Sequence, residues 1–340
     1  MKNRFFAAAI LLLAAFFNAP VFAQNAGTLS VKEQIKNLQA AIIQQGARWV
    51  AGETALSNLS EEEKMMRVGL NFTEIDAPPI TDLGDAEVPP ALDWRNYNGK
   101  NYVTGVRNQA KCGSCWAFAM TAGLESYVLK TRELPGTDLD LSEQVMLSCS
   151  GVGSCNGGYL SPSYLVKTGL PEEAAYPYTA TNGDCASALE GWQANAYKIG
   201  SYGSVKKDLN AIKQAIAKYG GLPTAMMVYE DFMHYKSGVY SYVSGKRLGG
   251  HAIFLVGYND AEKYFIVKNS WSEKWGENGY FNIAYSEMTN SISFGMSTVA
   301  YKAPVKEEAL DRQVEVSVLE EEKSLEDFMP LFRPAFEWAK

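Results

Sequence analysis

The order of elements along this 340-residue chain predicts an α+β fold of two lobes. Three observations carry that reading. Helical patterns crowd the stretch between Cys115 and Tyr219. Short apolar or alternating runs bounded by Gly, Asn and Asp follow: Ala225–Val228, His251–Val256, Tyr264–Lys268 and Tyr280–Ala284. Nowhere do the two patterns alternate as the units of a parallel sheet would. The composition, 47% apolar and 20% charged, suits a chain that buries a sizeable core.

Taken in order, residues 1–23 read as a secretory signal. Lys2 and Arg4 precede an apolar run from Phe5 to Phe17, and Val21-Phe22-Ala23 offers a cleavage point. The run is shorter than the ~20 residues that span a bilayer, so a short membrane anchor is the weaker alternative. No later run of ~18 apolar residues provides a stable membrane anchor. The mature chain is therefore expected to be secreted or periplasmic, or in a lysosome-like compartment if eukaryotic, where disulfides persist.

Residues 24–87 contain no cysteine. Ser60 and Glu63 form a capping-box pattern that predicts a helix start. Pro78-Pro79 and Pro89-Pro90 bracket an exposed linker, because proline breaks helices and strand ladders. From Cys115 to about Arg132 the chain is apolar on nearly all sides, the mark of a buried helix. Ser142–Leu147 and Tyr159–Gly169 are shorter helix candidates. Ser204–Tyr219 is amphipathic through Val205, Leu209, Ile212 and Ile216, and stops at Gly220-Gly221 with Pro223 beyond. The tail, 303–340, is acidic and predicted to be a solvated extension.

Charge and rare residues narrow the function. A net charge of −7 argues against non-specific nucleic-acid binding, which needs Lys and Arg to displace counterions. Two histidines exclude mechanisms that need several imidazoles, and no metal or other cofactor is called for. Five cysteines in an exported chain predict two bridges and one thiol left over.

The strongest chemical signal is Gln109-Ala110-Lys111-Cys112-Gly113-Ser114-Cys115-Trp116-Ala117-Phe118. Cys115 opens the buried helix, where unpaired N–H groups and the positive dipole end favour a thiolate. His251 follows 136 residues later, between Gly249-Gly250 and an apolar strand that would hold its ring rigidly. It is the natural acceptor of the thiol proton. His234 lies in a polar, loop-like stretch and is expected to be exposed. Asn269, 154 residues beyond Cys115, ends a strand and can fix the imidazole tautomer, with Trp271 shielding that bond. The Gln109 amide can face a developing oxyanion beside the Cys115 N–H, a donor worth about 2.7–4 kcal/mol.

Rival readings use the same residues. Cys112-Gly113-Ser114-Cys115 has the spacing of a thiol–disulfide oxidoreductase, but that reading leaves His251, Asn269 and the other cysteines idle. Cys112, Cys115, Cys149 and Cys155 are a weak zinc set in an exported chain. A catalytically silent binding module would not need the full Cys, His, Asn and Gln set.

The ordered motifs resemble the papain-like cysteine proteases over residues 88–302. They are Asp93-Trp94-Arg95, the Gln109–Phe118 block, Ser154-Cys155-Asn156-Gly157-Gly158, Tyr176-Pro177-Tyr178, Gly250-His251-Ala252, Lys268-Asn269-Ser270-Trp271 and Trp275-Gly276-Glu277-Asn278-Gly279-Tyr280. The resemblance implies a helical left lobe and a β-barrel-like right lobe with the active-site cleft between. It implies a monomeric cysteine endopeptidase acting on proteins or peptides, made as an inactive precursor with 24–87 as its own inhibitory pro-segment. Trp49-Val50-Ala51-Gly52 is similar to the shorter pro-segments of the family. The catalytic set implied is Cys115, His251, Asn269 and Gln109. The implied bridges are Cys112–Cys155 and Cys149–Cys185. Gly157 and Gly158 match the edge that bonds a substrate backbone. Tyr159, Leu160, Ala252 and Val299 match the pocket for the side chain two residues before the cut, and their lack of charge implies apolar preference. Phe294 stands where many relatives carry a further bridging cysteine, and no spare histidine supplies an occluding loop.

Overall fold

The computed structural model describes residues 29–72, 75–84 and 88–304. The signal segment, the expected cleavage point near Glu87 and all but the first two residues of the tail lie outside the described residues.

Local signals start the elements. Helix α1 (Val31–Gln44) is closed by a capping box between Ser30 and Glu33 and buries Leu38 and Ile42. Strand β1 (Arg48–Ala51) alternates exposed and buried residues. Helix α2 (Glu61–Met65) has the expected Ser60–Glu63 box but ends after five residues. Strand β2 (Ala91–Asp93) leads into the main body. Helix α3 (Cys115–Thr131) is buried almost throughout, in keeping with its apolar surface. Helix α4 (Glu143–Cys149) is capped by the Ser142 hydroxyl. Strands β3 (Gly153–Ser154) and β4 (Gly157–Gly158) make a small ribbon. Helix α5 (Ser163–Lys167) is shorter than the Tyr159–Gly169 expectation, because Pro162 sets its start and disfavours helix at the residue before it.

The Ser204–Tyr219 expectation divides in two. Ser204 belongs to strand β5 (Ser201–Val205), and the helix, α6 (Leu209–Tyr219), starts only where Asp208 caps Ala211. Strands β6 (Leu222–Tyr229), β7 (Tyr235–Tyr240), β8 (Arg247–Asn259), β9 (Tyr264–Lys268), β10 (Tyr280–Ala284) and β11 (Thr298–Lys302) complete the chain.

Seven strands form one sheet in the order β1-β7-β10-β9-β8-β2, with β6 also paired to β8. The thirteen-residue β8 spans the sheet: its first half pairs with β6 and its second half with β9 and β2. Strand β11 pairs with β5 apart from this sheet. Helices α3, α4 and α5 with the β3–β4 ribbon form the helical lobe, and the sheet forms the other. α3 packs on β8 and β6, so the N-terminus of the helix and the start of β8 meet between the lobes. Two bridges clasp the helical lobe, Cys112–Cys155 and Cys149–Cys185, and Cys115 is the free thiol among the described residues.

Candidate active site

Cys115 occupies the first position of α3 and is fully buried. Its sulfur accepts from the main-chain N–H of Gly69 at 3.3 Å and of Ala252 at 3.4 Å. These donors favour the thiolate, but burial outweighs them and pushes the thiol up to about 11.

His251 stands in β8 opposite Met226 of β6. Its Nε2 lies 2.8 Å from Asn269 Oδ1, and the Trp271 indole stacks on the imidazole at 4.6 Å between ring centres. A carboxamide oxygen only accepts, so the proton of the neutral ring sits on Nε2. That leaves Nδ1 as the basic nitrogen, buried and without a hydrogen-bond partner. Burial moves the imidazole down to about 4 despite the Asn269 bond. Thiol and imidazole are therefore both neutral in this closed form. The thiolate expected from the helix end needs the cover removed.

Gln109 is fixed from both sides. Its Oε1 accepts from Ser270 Oγ at 2.7 Å, and its Nε2 donates to Cys112 O at 2.9 Å and Arg67 O at 3.2 Å. The Gln109 N–H donates to Ser270 O at 2.9 Å, which stitches this loop to the strand end that carries Asn269.

The cover is residues 66–72. Leu70 N–H donates to Gly250 O at 3.0 Å, Asn71 N–H to Gly158 O at 2.8 Å, and Gly158 N–H to Gly69 O at 2.9 Å, so the segment bridges both walls. The Arg67 carbonyl receives both Gln109 Nε2 and Trp271 Nε1. Glycine is required at 69: a Cβ there would stand 1.9 Å from Gly113 O. Gly158 lies equally flush on Trp116, and Gly157 takes φ +123°.

The rest of the N-terminal region is docked around the β lobe. β1 adds antiparallel to β7, and buried Trp49 donates to Ser241 O. Beside it lies His234, which is 5% exposed and not the solvent-facing histidine expected. The N-terminal region itself covers it: Gly52 N–H donates to His234 O, and Ser57 Oγ lies 2.9 Å from His234 Nδ1. Downstream, Ile80 N–H donates to Ser204 O, and Asp82 meets Lys218 and Tyr219.

A cavity of about 450 Å³ adjoins Leu70, walled by Val152, Tyr159, Leu160, Ser161 and Ser297, with Ile75 and Asp76 closing it. Its wall from the helical and β lobes carries no acid. Ala252 and Val299 do not line it: the Ala252 N–H meets the sulfur, and Val299 is fully buried in β11, two residues past Ser297. Loop composition gave no signal for Val152 or Ser297.

Sequence reading also missed a buried acid–base chain behind Asn269. Lys268 Nζ donates to Thr104 Oγ1 at 3.0 Å, the Thr104 hydroxyl donates to Glu125, and Glu125 accepts the Leu141 N–H. Burial raises Glu125 and lowers Lys268. An acid inside the otherwise apolar α3 was the available clue.

A family model described as papain family cysteine protease matches residues 88–301. Cathepsin B-like CP3 of Giardia intestinalis is 35% identical over 300 residues, 82% of this chain and 94% of that protein. Cathepsin L2 of Homo sapiens is 38% identical over 215 residues, 58% of this chain and 61% of its own length. Among solved structures, a digestive procathepsin L2 proteinase from Tenebrio molitor larval midgut superposes with a TM-score of 0.70 at 26% identity, covering 80% of this chain and 90% of that one. A recombinant stem bromelain precursor gives 0.66 at 28%, covering 81% and 90%.

Proposed function

Because this chain belongs to the papain family and is a cysteine protease, we propose that Cys115, His251, Asn269 and Gln109 carry its endopeptidase chemistry and that residues 24–87 are its own inhibitor. The observation that carries the assignment is the unpartnered, buried Nδ1 of an imidazole whose other nitrogen is held by Asn269, one residue before the Ala252 N–H that donates to the free Cys115 sulfur.

His251 Nδ1 takes the Cys115 proton, and the sulfur attacks the carbonyl carbon of the scissile bond. The carbonyl oxygen, now an oxyanion, accepts from Gln109 Nε2 and the Cys115 N–H. Collapse breaks the C–N bond; the leaving amine takes the proton from His251 and a thioester remains. Water then gives a proton to His251 and attacks the thioester, releasing the acid and the thiol. Asn269 holds Nε2–H throughout and Trp271 excludes water from that bond. The oxidoreductase and zinc readings lose their ligands, since Cys112 is bonded to Cys155 and Cys149 to Cys185.

In the precursor the inhibitor blocks each of these parts. The sulfur faces the Gly69 N–H, not a carbonyl carbon, and Gln109 Nε2 is engaged by the Arg67 carbonyl. Gly157 and Gly158 then serve an extended substrate as Gly158 now serves Gly69 and Asn71. The acid-free wall with Tyr159 and Leu160 favours apolar side chains two residues before the cut. The mature domain is 88–302 and monomeric, exported through residues 1–23, with 303–340 a C-terminal extension. Among the described residues no helix is long and apolar enough to cross a membrane.

Titration with an epoxide inhibitor tests the assignment. The processed enzyme is expected to take one equivalent at Cys115, and Cys115→Ala to take none and hydrolyse no peptide. Turnover near wild type in Cys115→Ala would reject the reading. N-terminal sequencing of the active form is expected to start near residue 88; an active form still carrying Trp49 would reject 24–87 as the removed inhibitor.

A further inference from the structure

Serine is a favoured N-cap because its hydroxyl accepts an N–H from the first helical turn. Ser114 is the N-cap of α3, yet its side chain makes no cap bond. Its hydroxyl lies instead 2.7 Å from Tyr178 Oη, and Tyr178 Oη donates to Gln109 O at 2.9 Å. The phenol has one proton, and a carbonyl can only accept. With the Tyr178 O–H on Gln109 O, the Ser114 hydroxyl donates to Tyr178 at 2.7 Å, and its other acceptor, Cys112 O, stands farther off at 3.5 Å. The tyrosine belongs to the Tyr176-Pro177-Tyr178 run, to which the chemistry above gives no task. It is held by an edge-to-face seat on Phe118 at 4.8 Å and by its own N–H on Glu173.

We infer that Tyr178 is a positioning residue for catalysis: its hydroxyl ties the Gln109 main chain to the helix cap and holds the Ser114 hydroxyl away from the N–H groups at the start of α3. Those N–H groups then stay available to the Cys115 sulfur and the oxyanion. Ser114 O already takes the Ala117 and Phe118 N–H groups, so a freed hydroxyl would compete for the N–H of Trp116. The same bond sets where the Gln109 backbone, and with it the amide, stands beside the sulfur. Both effects act through other residues, and Tyr178 itself touches no substrate.

This rests on the roles proposed for Cys115 and Gln109, so the two are tested separately on the processed enzyme. Turnover by Cys115→Ala would fail the assignment and leave Tyr178 without a task. With the assignment standing, Tyr178→Phe keeps the ring on Phe118 and removes only the hydroxyl. It is expected to lower kcat roughly five- to tenfold with KM little changed, the size of one positioning hydrogen bond. The pH profile of Cys115 alkylation, read on folded enzyme, is expected to move up by about half a unit, as the loss of a helix-end N–H implies. Adding Ser114→Ala to Tyr178→Phe removes the competing hydroxyl and should bring the alkylation profile back towards wild type. Ser114→Ala by itself should not move that profile upward, which keeps the test open if Tyr178→Phe yields no folded enzyme. An unmoved profile in Tyr178→Phe, an upward move in Ser114→Ala alone, or a double variant no closer to wild type would each overturn the inference. So would equal changes in kcat and KM that track a fall in thermal stability.

Discussion

Removing the charge switch at His234 should flatten one part of the pH dependence of pro-segment docking. The ring is buried under the N-terminal region, with Ser57 Oγ on Nδ1, Lys64 of α2 facing it, and Gln34 and Asn37 of α1 lining the adjoining cavity. Glu230 and Asp231 come from its own turn; Glu230 favours the cation, and Asp231 is engaged by Tyr240, Val243 and Ser244. Burial, then Lys64, lowers the imidazole from 6.5 to about 4. A lowered pKa on a base means that docking favours the neutral ring. The docking energy is therefore complete above about pH 6.5 and falls as pH drops from there to about 4. Between pH 7 and 4 the loss reaches at most roughly a hundredfold in the docking constant, the value if the N-terminal region supplies all of the burial. Amide exchange of β1 in the Cys115→Ala precursor reads this directly, because opening of β1 from β7 exposes its amides. His251 is also freed on opening and contributes equally with or without His234, so the comparison with His234→Gln isolates the one ring. Wild-type protection, corrected for intrinsic exchange, should fall further than that of His234→Gln between pH 7 and 4, by at most about a hundredfold. Equal falls in the two proteins would refute the reasoning.

Three further outcomes follow from the same geometry. Gly69→Ala places a methyl against Gly113 O, whose residue is held by its N–H bond to Cys155 O at 2.8 Å; overpacking of about 1–3 kcal/mol should speed precursor conversion at least severalfold, and an unchanged conversion half-time would contradict the fit. His251→Ala removes the proton acceptor and should cost roughly 10² or more in kcat, whereas Asn269→Ala removes one orienting bond and should cost about tenfold; the reverse order would exclude the orienting role. Glu63 is held below its usual range by Lys111, then by the Ser60 N–H, so its contribution to docking is present above about 4.5 and lost as pH falls further; Glu63→Gln should speed amide exchange of α2 above that pH by a pH-independent factor, converge on wild type below it, and leave the slope of the His234 window untouched.

The residues proposed as catalytic were legible because their signals are local. Cys115 announces itself by a Cys-Gly-Ser-Cys-Trp run opening an apolar helix, and His251 and Asn269 by strand-edge contexts at the right distance along the chain. The strands were legible for the same reason, since alternation and Gly or Asn boundaries sit within each run. What escaped depended on partners far away in sequence. Ser204 reads as helix by period but is a strand because β11 lies beside it. His234 reads as exposed because its own neighbours are polar; Gly52 and Ser57, far upstream, bury it. α1 was there to be found in the Ser30–Glu33 capping box, yet its packing face emerges only with β1 and β7 in place. Val152 and Ser297 reach the cavity from loops whose course no periodicity encodes.

On the roles proposed above, inhibition and catalysis use the same atoms in opposite senses. The main-chain N–H of Gly69 satisfies the sulfur as a thiol acceptor, so nothing electrophilic faces it. The Arg67 carbonyl satisfies Gln109 without being a reaction centre. Burial by the same segment then holds Cys115 up and His251 down, so proton transfer between them would create two charges in a dry site. Each block is lifted by the one event of withdrawing residues 66–72. A single opening step therefore restores the oxyanion donor, the accessible sulfur and the solvent that stabilises an ion pair. Weakening any contact along the docked N-terminal region, from Trp49 to Asp82, should accordingly shift all three together, because the segment across the sulfur is anchored on both sides of it.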